Sequence, residues 1–409
     1  MSTPQLAIFD DQRGALGPML DLRAVYDLRT GAVTTRHRIE RAVGQPVSAT
    51  ISPDALTALT DAPTLADLND GPVLLINGRW TGITQPHVVR DLPYNAALIQ
   101  SDGQLIAAHV NRDDVRHLMA IRQWQAPANV NIQIAPEPML IERPWHILDQ
   151  LEKTLLDDLK ASNVPVDNER GTRNPNAETR NLVQIANDSD IAPMVVFDTS
   201  RGPIVIDDGT QVHPFVSIEG PCYVGPNCVI GTHTSLRPNT VIGPQCKVSG
   251  EVAFSIFHSH SNKAHQGFVG HALIGQWCNL GADTNVSNLK NTYGPVRMQL
   301  SADTTPQNTG RTFLGPVLGD YVRTGIGTRL NTGAVVGTGA MIAHSGFSPK
   351  FVDRFTFLTD HVAQPYNMDK FINTARTAMA RRETEMSASL ESRLRAMARD
   401  RHVLRDTGA

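Results

Sequence analysis

Ile206, Val212, Ile218, Val224, Ile230, Leu236, Ile242, Val248 and Phe254 stand six residues apart without a slip. The series resumes at Phe268, Ile274, Leu280 and Val286, and again at Leu318, Thr324, Leu330, Val336 and Ile342, where Thr324 is the one polar member. An α-helix turning every ~3.6 residues cannot hold such positions on one face over that length. A prism with three flat sides and six residues to a side can, because each aliphatic then enters the interior at the same place on a side. The period therefore predicts a parallel β-helix of stacked coils over about 206–342, with Ile191 and Phe197 forming an irregular first side.

The position four after each aliphatic reads Thr210, Val216, Cys222, Cys228, Thr234, Thr240, Cys246 and Val252, then Ala272, Cys278 and Thr284, then Val322, Thr328, Ala334, Ala340 and Gly346. Small residues are needed where a side chain points into a narrow corner. All four cysteines of the chain fall in this slot, so they read as core residues and not as a disulfide or metal pair. The position after the aliphatic is often glycine (Gly225, Gly231, Gly243, Gly275, Gly281, Gly319, Gly325, Gly337), as expected of a corner needing unusual dihedrals. Stacked coils pair in parallel and leave only two ends to cap.

A rigid scaffold makes its interruptions informative. The first break, between Phe254 and Phe268, contains His258, His260 and His265, and the second, from Val286 to Leu318, is long enough to reach a neighbouring subunit. An imidazole, with an unperturbed pKa of about 6.5, suits removal of a proton from an amine or hydroxyl that attacks a thioester. Arg237 or Lys263 suits a phosphate, the first as a planar fork and the second as a point charge. A backbone N–H at Gly281-Ala282 suits the oxyanion. His260 and His265 also share the spacing of a zinc pair in γ-class carbonic anhydrases, although His233 lies at the wrong interval for the third ligand.

Ser261-Asn-Lys-Ala-His-Gln-Gly-Phe-Val-Gly270, followed by Ile274-Gly-Gln-Trp-Cys-Asn-Leu-Gly-Ala-Asp-Thr284, resembles the acetyltransferase domain of the bifunctional GlmU enzymes. Ser287-Asn-Leu-Lys-Asn-Thr-Tyr-Gly294 and Gly346-Phe-Ser-Pro-Lys-Phe351 bring the match nearer to a group of GlmU-like sugar nucleotidyltransferases. The resemblance implies a left-handed prism, a homotrimer with sites between prisms, and acetyl-CoA as co-substrate. It implies an acceptor that is an amino sugar phosphate or a nucleotide sugar. It makes His265 the general base and Asn279 a substrate contact, and it sets the backbone at Gly281 and Ala282 against the coenzyme arm. Arg237 resembles a phosphate-holding arginine, and Asn288 and Lys290 fall among further substrate contacts. Phe268 stands where GlmU has a tyrosine, so that hydroxyl is lost; the second basic residue that GlmU places near Phe254-Ser-Ile-Phe257 has no counterpart.

The N-terminal half alternates short apolar runs with amphipathic stretches. Residues 6–9, 72–77 and 95–100 read as strands, with Ser101-Asp-Gly103 turning the last into a hairpin with 104–110. Thr30 to Val43 and Asp113 to Trp124 read as helices, the second capped by Asn111. An α/β domain follows. Ile8-Phe-Asp-Asp-Gln-Arg13, Leu28-Arg-Thr-Gly31, Asn77-Gly-Arg79 and Arg143-Pro-Trp145 resemble the nucleotidyltransferase-like domain of the same GlmU-like family. The glycine-rich phosphate loop and lysine of active members are absent, Arg13-Gly-Ala-Leu-Gly17 is a poor substitute, and no lysine precedes Lys153. Arg13, Arg23, Arg29 and Arg79 remain as phosphate ligands, and Asp10 and Asp11 as holders of Mg²⁺ only if this domain is active.

The expected organisation is an α/β domain over 1–161, a polar linker over 162–189, a β-helix over 190–350 and a C-terminal helical tail over 351–409. The tail alternates charged and apolar residues from Met368 to Met397, as a solvated helix packing on the trimer or on the N-terminal domain would. A net charge of -3 gives no bulk attraction for nucleic acid or for an anionic membrane. No apolar run approaches the roughly 20 residues that span a bilayer, and no secretory leader is visible, so a cytoplasmic enzyme is expected. The competing expectations are nucleotidyl transfer by the N-terminal domain and a trimeric binding protein without turnover.

Overall fold

The computed structural model describes residues 3–60, 62–165 and 182–400, so that most of the expected linker, 166–181, lies outside the described residues. The chain forms two compact units, one of residues up to 15 with 23–146, the other of 16–22 with those from 147 onward.

The first unit is built on six strands: β1 (Gln5–Phe9), β2 (Val47–Ile51), β3 (Pro72–Asn77), β4 (Ala96–Ile99), β5 (Leu105–Asn111) and β6 (Asn131–Ile134), in the order β2-β1-β3-β5-β4-β6. β1 runs parallel to β2 and β3, β5 is antiparallel to β3 and β4, and β6 joins β4 in parallel. Alternation along β1 sends Leu6 and Ile8 into one apolar layer and Ala7 and Phe9 into the other, so both faces of the sheet are covered. The first expected helix begins only at Thr35, because the Thr34 side chain accepts from the His37 N–H and fixes the start there. The second is Arg112–Ile121, with Asn111 Oδ1 accepting from the Asp114 N–H at 2.9 Å.

The second unit is a parallel β-solenoid. Ile206 pairs with Val224, and Val224 with Ile242, which gives eighteen residues to a coil and six to a side. The inward aliphatics are buried, and so are Thr210, Val216, Thr234, Thr240 and the four cysteines in the small-residue slot, all four as free thiols. The left-handed backbone that turns the corners lies three residues after the inward aliphatic, at Phe215, Asn227, His233, Asn239 and Gln245. This corrects the role expected of the glycines. Gly225, Gly231, Gly243 and Gly275 do not have positive φ; they sit where the next coil passes, and a Cβ on Gly243 would collide with the His258 carbonyl.

The six-residue count also loses phase at the first break. Leu236 pairs with Val252 and Val252 with Val269, while Phe254 and Phe268 are only half-buried. Two corners here are shorter than in the regular coils, so the true inward positions are Val252, Phe257, Lys263 and Val269, with Lys263 paired to Val248. Phe254 instead turns its ring onto His271, at 4.9 Å between centroids.

The second break folds back within the unit: Arg297–Met298 pairs antiparallel with Gln307–Asn308, and Val296 and Met298 are buried. The tail is two helices, Met368–Ala380 and Ala388–Arg399, not one. Their apolar side, Phe371, Ile372, Ala375, Met379, Leu394 and Met397, packs on Trp277, Tyr321 and Phe355 of the chain's own prism. Residues 16–22 also lie on this unit, where the buried Asp21 carboxylate is held by Arg354 and accepts from Thr338 Oγ1 at 2.7 Å. Among the described residues, no helix is long and apolar enough to cross a membrane.

Candidate functional site

His265 stands on a short loop between Lys263 and the strand Phe268–Gly270. Lys263 takes an aliphatic slot of the prism and is 1% exposed, so it is not the surface cation expected from the sequence. Its ammonium donates to the Ser249 carbonyl at 2.9 Å and to the His265 carbonyl at 2.8 Å. Burial lowers its pKa to about 8, against a smaller upward pull from Asp283. The loop is held from the other side as well: the Asp283 N–H donates to the Gln266 carbonyl at 3.0 Å, and the Phe268 N–H to Asn285 Oδ1 at 2.9 Å. His265 itself is exposed, and its ring makes no hydrogen bond among the described residues. The loop backbone is thus held on both sides, and it presents the His265 ring to solvent.

Phe268, Gly270 and Asn288 come together behind that loop, since a Cβ on Gly270 would meet both the Phe268 ring and the Asn288 amide. Asn288 Nδ2 lies 2.9 Å from His271 Nδ1. His271 is stacked between Phe254 and Phe313, and burial lowers its pKa to about 4. Sequence reasoning missed His271, whose only signal is its place between two aromatic positions. Lys290 donates to the Pro295 carbonyl at 2.6 Å, which closes its own turn. Arg237 is exposed and paired with Glu251 at 3.1 Å. The Gly281 N–H donates to Thr324 Oγ1 at 2.9 Å, so it is not free for an oxyanion, and the Ala282 carbonyl accepts from Gly327 at 2.8 Å. Asn279 lies on a flat side, with Asn262 Nδ2 donating to its Oδ1 at 2.9 Å. It lines a cavity of about 150 Å³ with His260, Arg323 and Arg382. His260 is stacked on Trp277 at 4.1 Å, and burial followed by the charge of Arg382 lowers its pKa to about 4.

In the first unit the end of β1 leads into a buried ionic centre. Arg79, fully buried, donates Nη2 to Asp11 Oδ2 at 2.6 Å and Nε to Asp11 Oδ1 at 3.0 Å, and Asn77 Nδ2 reaches Asp11 Oδ2 at 2.9 Å. Asp10 accepts from the Gln12 and Val25 N–H groups, both at 2.8 Å. A Mg²⁺ site needs carboxylate oxygens free to face the ion. Both carboxylates are occupied within the chain, so this pair does not fit Mg²⁺. Among the described residues, no three His, Cys, Asp or Glu side chains are grouped to hold a metal.

A family model described as "Sugar nucleotidyl transferase" matches residues 6–163, and one described as "Bacterial transferase hexapeptide (six repeats)" matches 203–238. The "Bifunctional protein GlmU" of Methanococcus vannielii is 32% identical over 162 residues, 39% of this chain and 38% of that protein. The chain is similar to GlmU-like proteins over these stretches. The "Bifunctional sugar-1-phosphate nucleotidylyltransferase/acetyltransferase" of Sulfurisphaera tokodaii is 29% identical over 206 residues, 50% of this chain and 44% of that protein. The chain thus matches less than half the length of either relative. Among solved structures, a mutant of GDP-perosamine N-acetyl transferase from Caulobacter crescentus, in complex with CoA and GDP-perosamine, is 9% identical, and the match covers 90% of this chain and 98% of that one. Its TM-score of 0.13 is too low to define shared geometry.

Proposed function

We propose that the chain transfers an acetyl group from acetyl-CoA to an amino sugar phosphate or a nucleotide sugar. The observation that carries this reading is the exposed, unbonded imidazole of His265 on a loop pinned by Lys263. The acetyltransferase activity in the name of the Sulfurisphaera tokodaii relative agrees with it. In this mechanism His265 accepts the proton of the attacking amine as its nitrogen bonds to the thioester carbonyl carbon. The C–S bond then breaks, and the proton held by His265 passes to the departing sulfur, so that CoA leaves as the thiol. Because the Gly281 N–H is bonded to Thr324, the backbone at Ala282 is the nearer candidate for the oxyanion and the coenzyme arm. Phe268 and Asn288 line the acceptor side, with a ring and an amide in place of a phenol. A homotrimer in the cytoplasm is part of the same proposal. Release of free CoA thiol from acetyl-CoA, followed with a panel of amino sugar phosphates and nucleotide amino sugars, tests it. No acceptor-dependent thiol release across that panel would overturn it.

The match of residues 6–163 to a sugar nucleotidyl transferase model favours a second reading, nucleotidyl transfer by the first unit. The occupied carboxylates of Asp10 and Asp11 and the absence of lysine before Lys153 weigh against it. Pyrophosphate release from nucleoside triphosphates and sugar phosphates would establish it.

A further inference from the structure

The cavity beside Asn279 is lined by Lys247, Arg323, Arg381 and Arg382, and by no Asp or Glu. Elsewhere in the same unit arginines find carboxylates: Arg237 with Glu251, Arg354 with Asp21, and Arg376 and Arg395 with Glu391. In the cavity they do not. The Arg323 guanidinium has no ion pair or hydrogen bond among the described residues, although burial lowers its pKa. Arg382 reaches only the Gln245 carbonyl, at 3.0 Å, and Arg381 and Lys247 make no ion pair among the described residues. Like charges gathered around one cavity repel one another, and an anion bound among them would relieve that repulsion.

The other lining groups are neutral and polar. Asn262 and Asn279 present side-chain amides, and His260 Nδ1 is buried without a partner. His260 stays uncharged near neutral pH and can donate or accept. Planar guanidinium forks match the paired oxygens of a phosphate, and a cluster of three suits a diphosphate better than a single phosphate. The cavity exists because the chain returns. Arg381 and Arg382 follow the helix Met368–Ala380, whose apolar side is anchored on Trp277 and Tyr321, so the C-terminal segment supplies two of the four cations.

We propose that this cavity is a binding site for a phosphate-bearing ligand, the diphosphate group of a nucleotide or a coenzyme, completed by Arg381 and Arg382 from the C-terminal helix. The site does not rest on acetyl transfer: anion binding is expected whether or not the chain turns over acetyl-CoA. Titration calorimetry on the full chain, with inorganic pyrophosphate, CoA and uridine diphosphate as separate probes, tests it. Pyrophosphate is expected to bind, and Arg323→Met and Arg381→Gln are each expected to weaken it about tenfold. Arg381 is exposed, so its loss leaves the fold intact and keeps the test decisive if Arg323→Met is unstable. Tighter binding of CoA than of uridine diphosphate, lost in Arg381→Gln, assigns the site to the coenzyme; the reverse order assigns it to a nucleotide sugar. Failure of all three probes to bind at millimolar concentration, or unchanged affinity in Arg381→Gln, would overturn the proposal.

Discussion

The Lys263 ammonium donates to the backbone carbonyl of His265 at 2.8 Å, from inside the wall of the solenoid. The link joins a buried charge to the loop that carries the candidate base. Burial holds the Lys263 pKa at about 8, below its ordinary value of 10.5, so above pH 8 the unfolded chain binds a proton that the folded chain has released. Stability therefore rises with pH between those two values, by up to about 3 kcal/mol. Denaturant unfolding from pH 7 to 10.5 is expected to show this rise in the native chain and not in Lys263→Met. Parallel curves for the two proteins would refute it.

His265 is exposed and makes no hydrogen bond through its ring among the described residues, so its removal touches chemistry and not packing. His265→Ala is expected to lower acceptor-dependent release of CoA thiol by ~10²–10⁴-fold, the usual share of a general base. The melting temperature should stay within about 1–2 °C of the native value, as for other surface changes.

Acid should weaken the second unit for a definable reason. Burial holds His260 and His271 neutral, each with a pKa lowered from 6.5 to about 4. In that window the unfolded chain takes up protons that the folded chain refuses, so stability falls as pH drops from 6.5 towards 4. His271→Phe, which keeps an aromatic ring between Phe254 and Phe313, is expected to flatten part of that loss. Unfolding curves at pH 7, 5.5 and 4.5 would measure it.

Gly243 faces the His258 carbonyl of the next coil, whereas a Cβ on Gly225 would come no closer than 3.0 Å to its neighbours. Gly243→Ala is expected to cost about 1–3 kcal/mol or more, by forcing coils apart, and Gly225→Ala distinctly less. If corner dihedrals set the need for glycine, neither having positive φ, the two substitutions would be equally mild. Thermal melts of the pair decide between the explanations.

The solenoid was legible because its period comes from geometry that repeats every coil: one apolar residue per side, one small residue per corner. The four cysteines lost any metal or disulfide reading for the same reason, and all are buried thiols. The count could not see its own slips. A corner shortened after Val248 moves the inward register from Phe254 to Val252 and places Lys263 in an aliphatic slot. Nothing local distinguishes a shortened corner from a longer loop, because pairing between coils alone fixes the phase. In the first unit β1, β3, β4 and β5 followed from apolar runs, but β2, β6 and the closing of Asp10 and Asp11 onto Arg79 and Val25 did not. Those partners lie far along the chain from the two carboxylates.

The motif around His265 singles it out in the sequence as a candidate, whereas the contacts that hold its loop are not visible there. The basic cavity was less visible still. Arg381 and Arg382 read as two charges on a mixed helix until that helix folds back onto Trp277 and Tyr321 and brings them beside Arg323. The sequence by itself determined the solenoid, because each six-residue step makes the same local choice between inside and outside. Only the tertiary structure decided which cations share a space, because charges far apart along the chain meet by the packing of apolar faces that carry no charge.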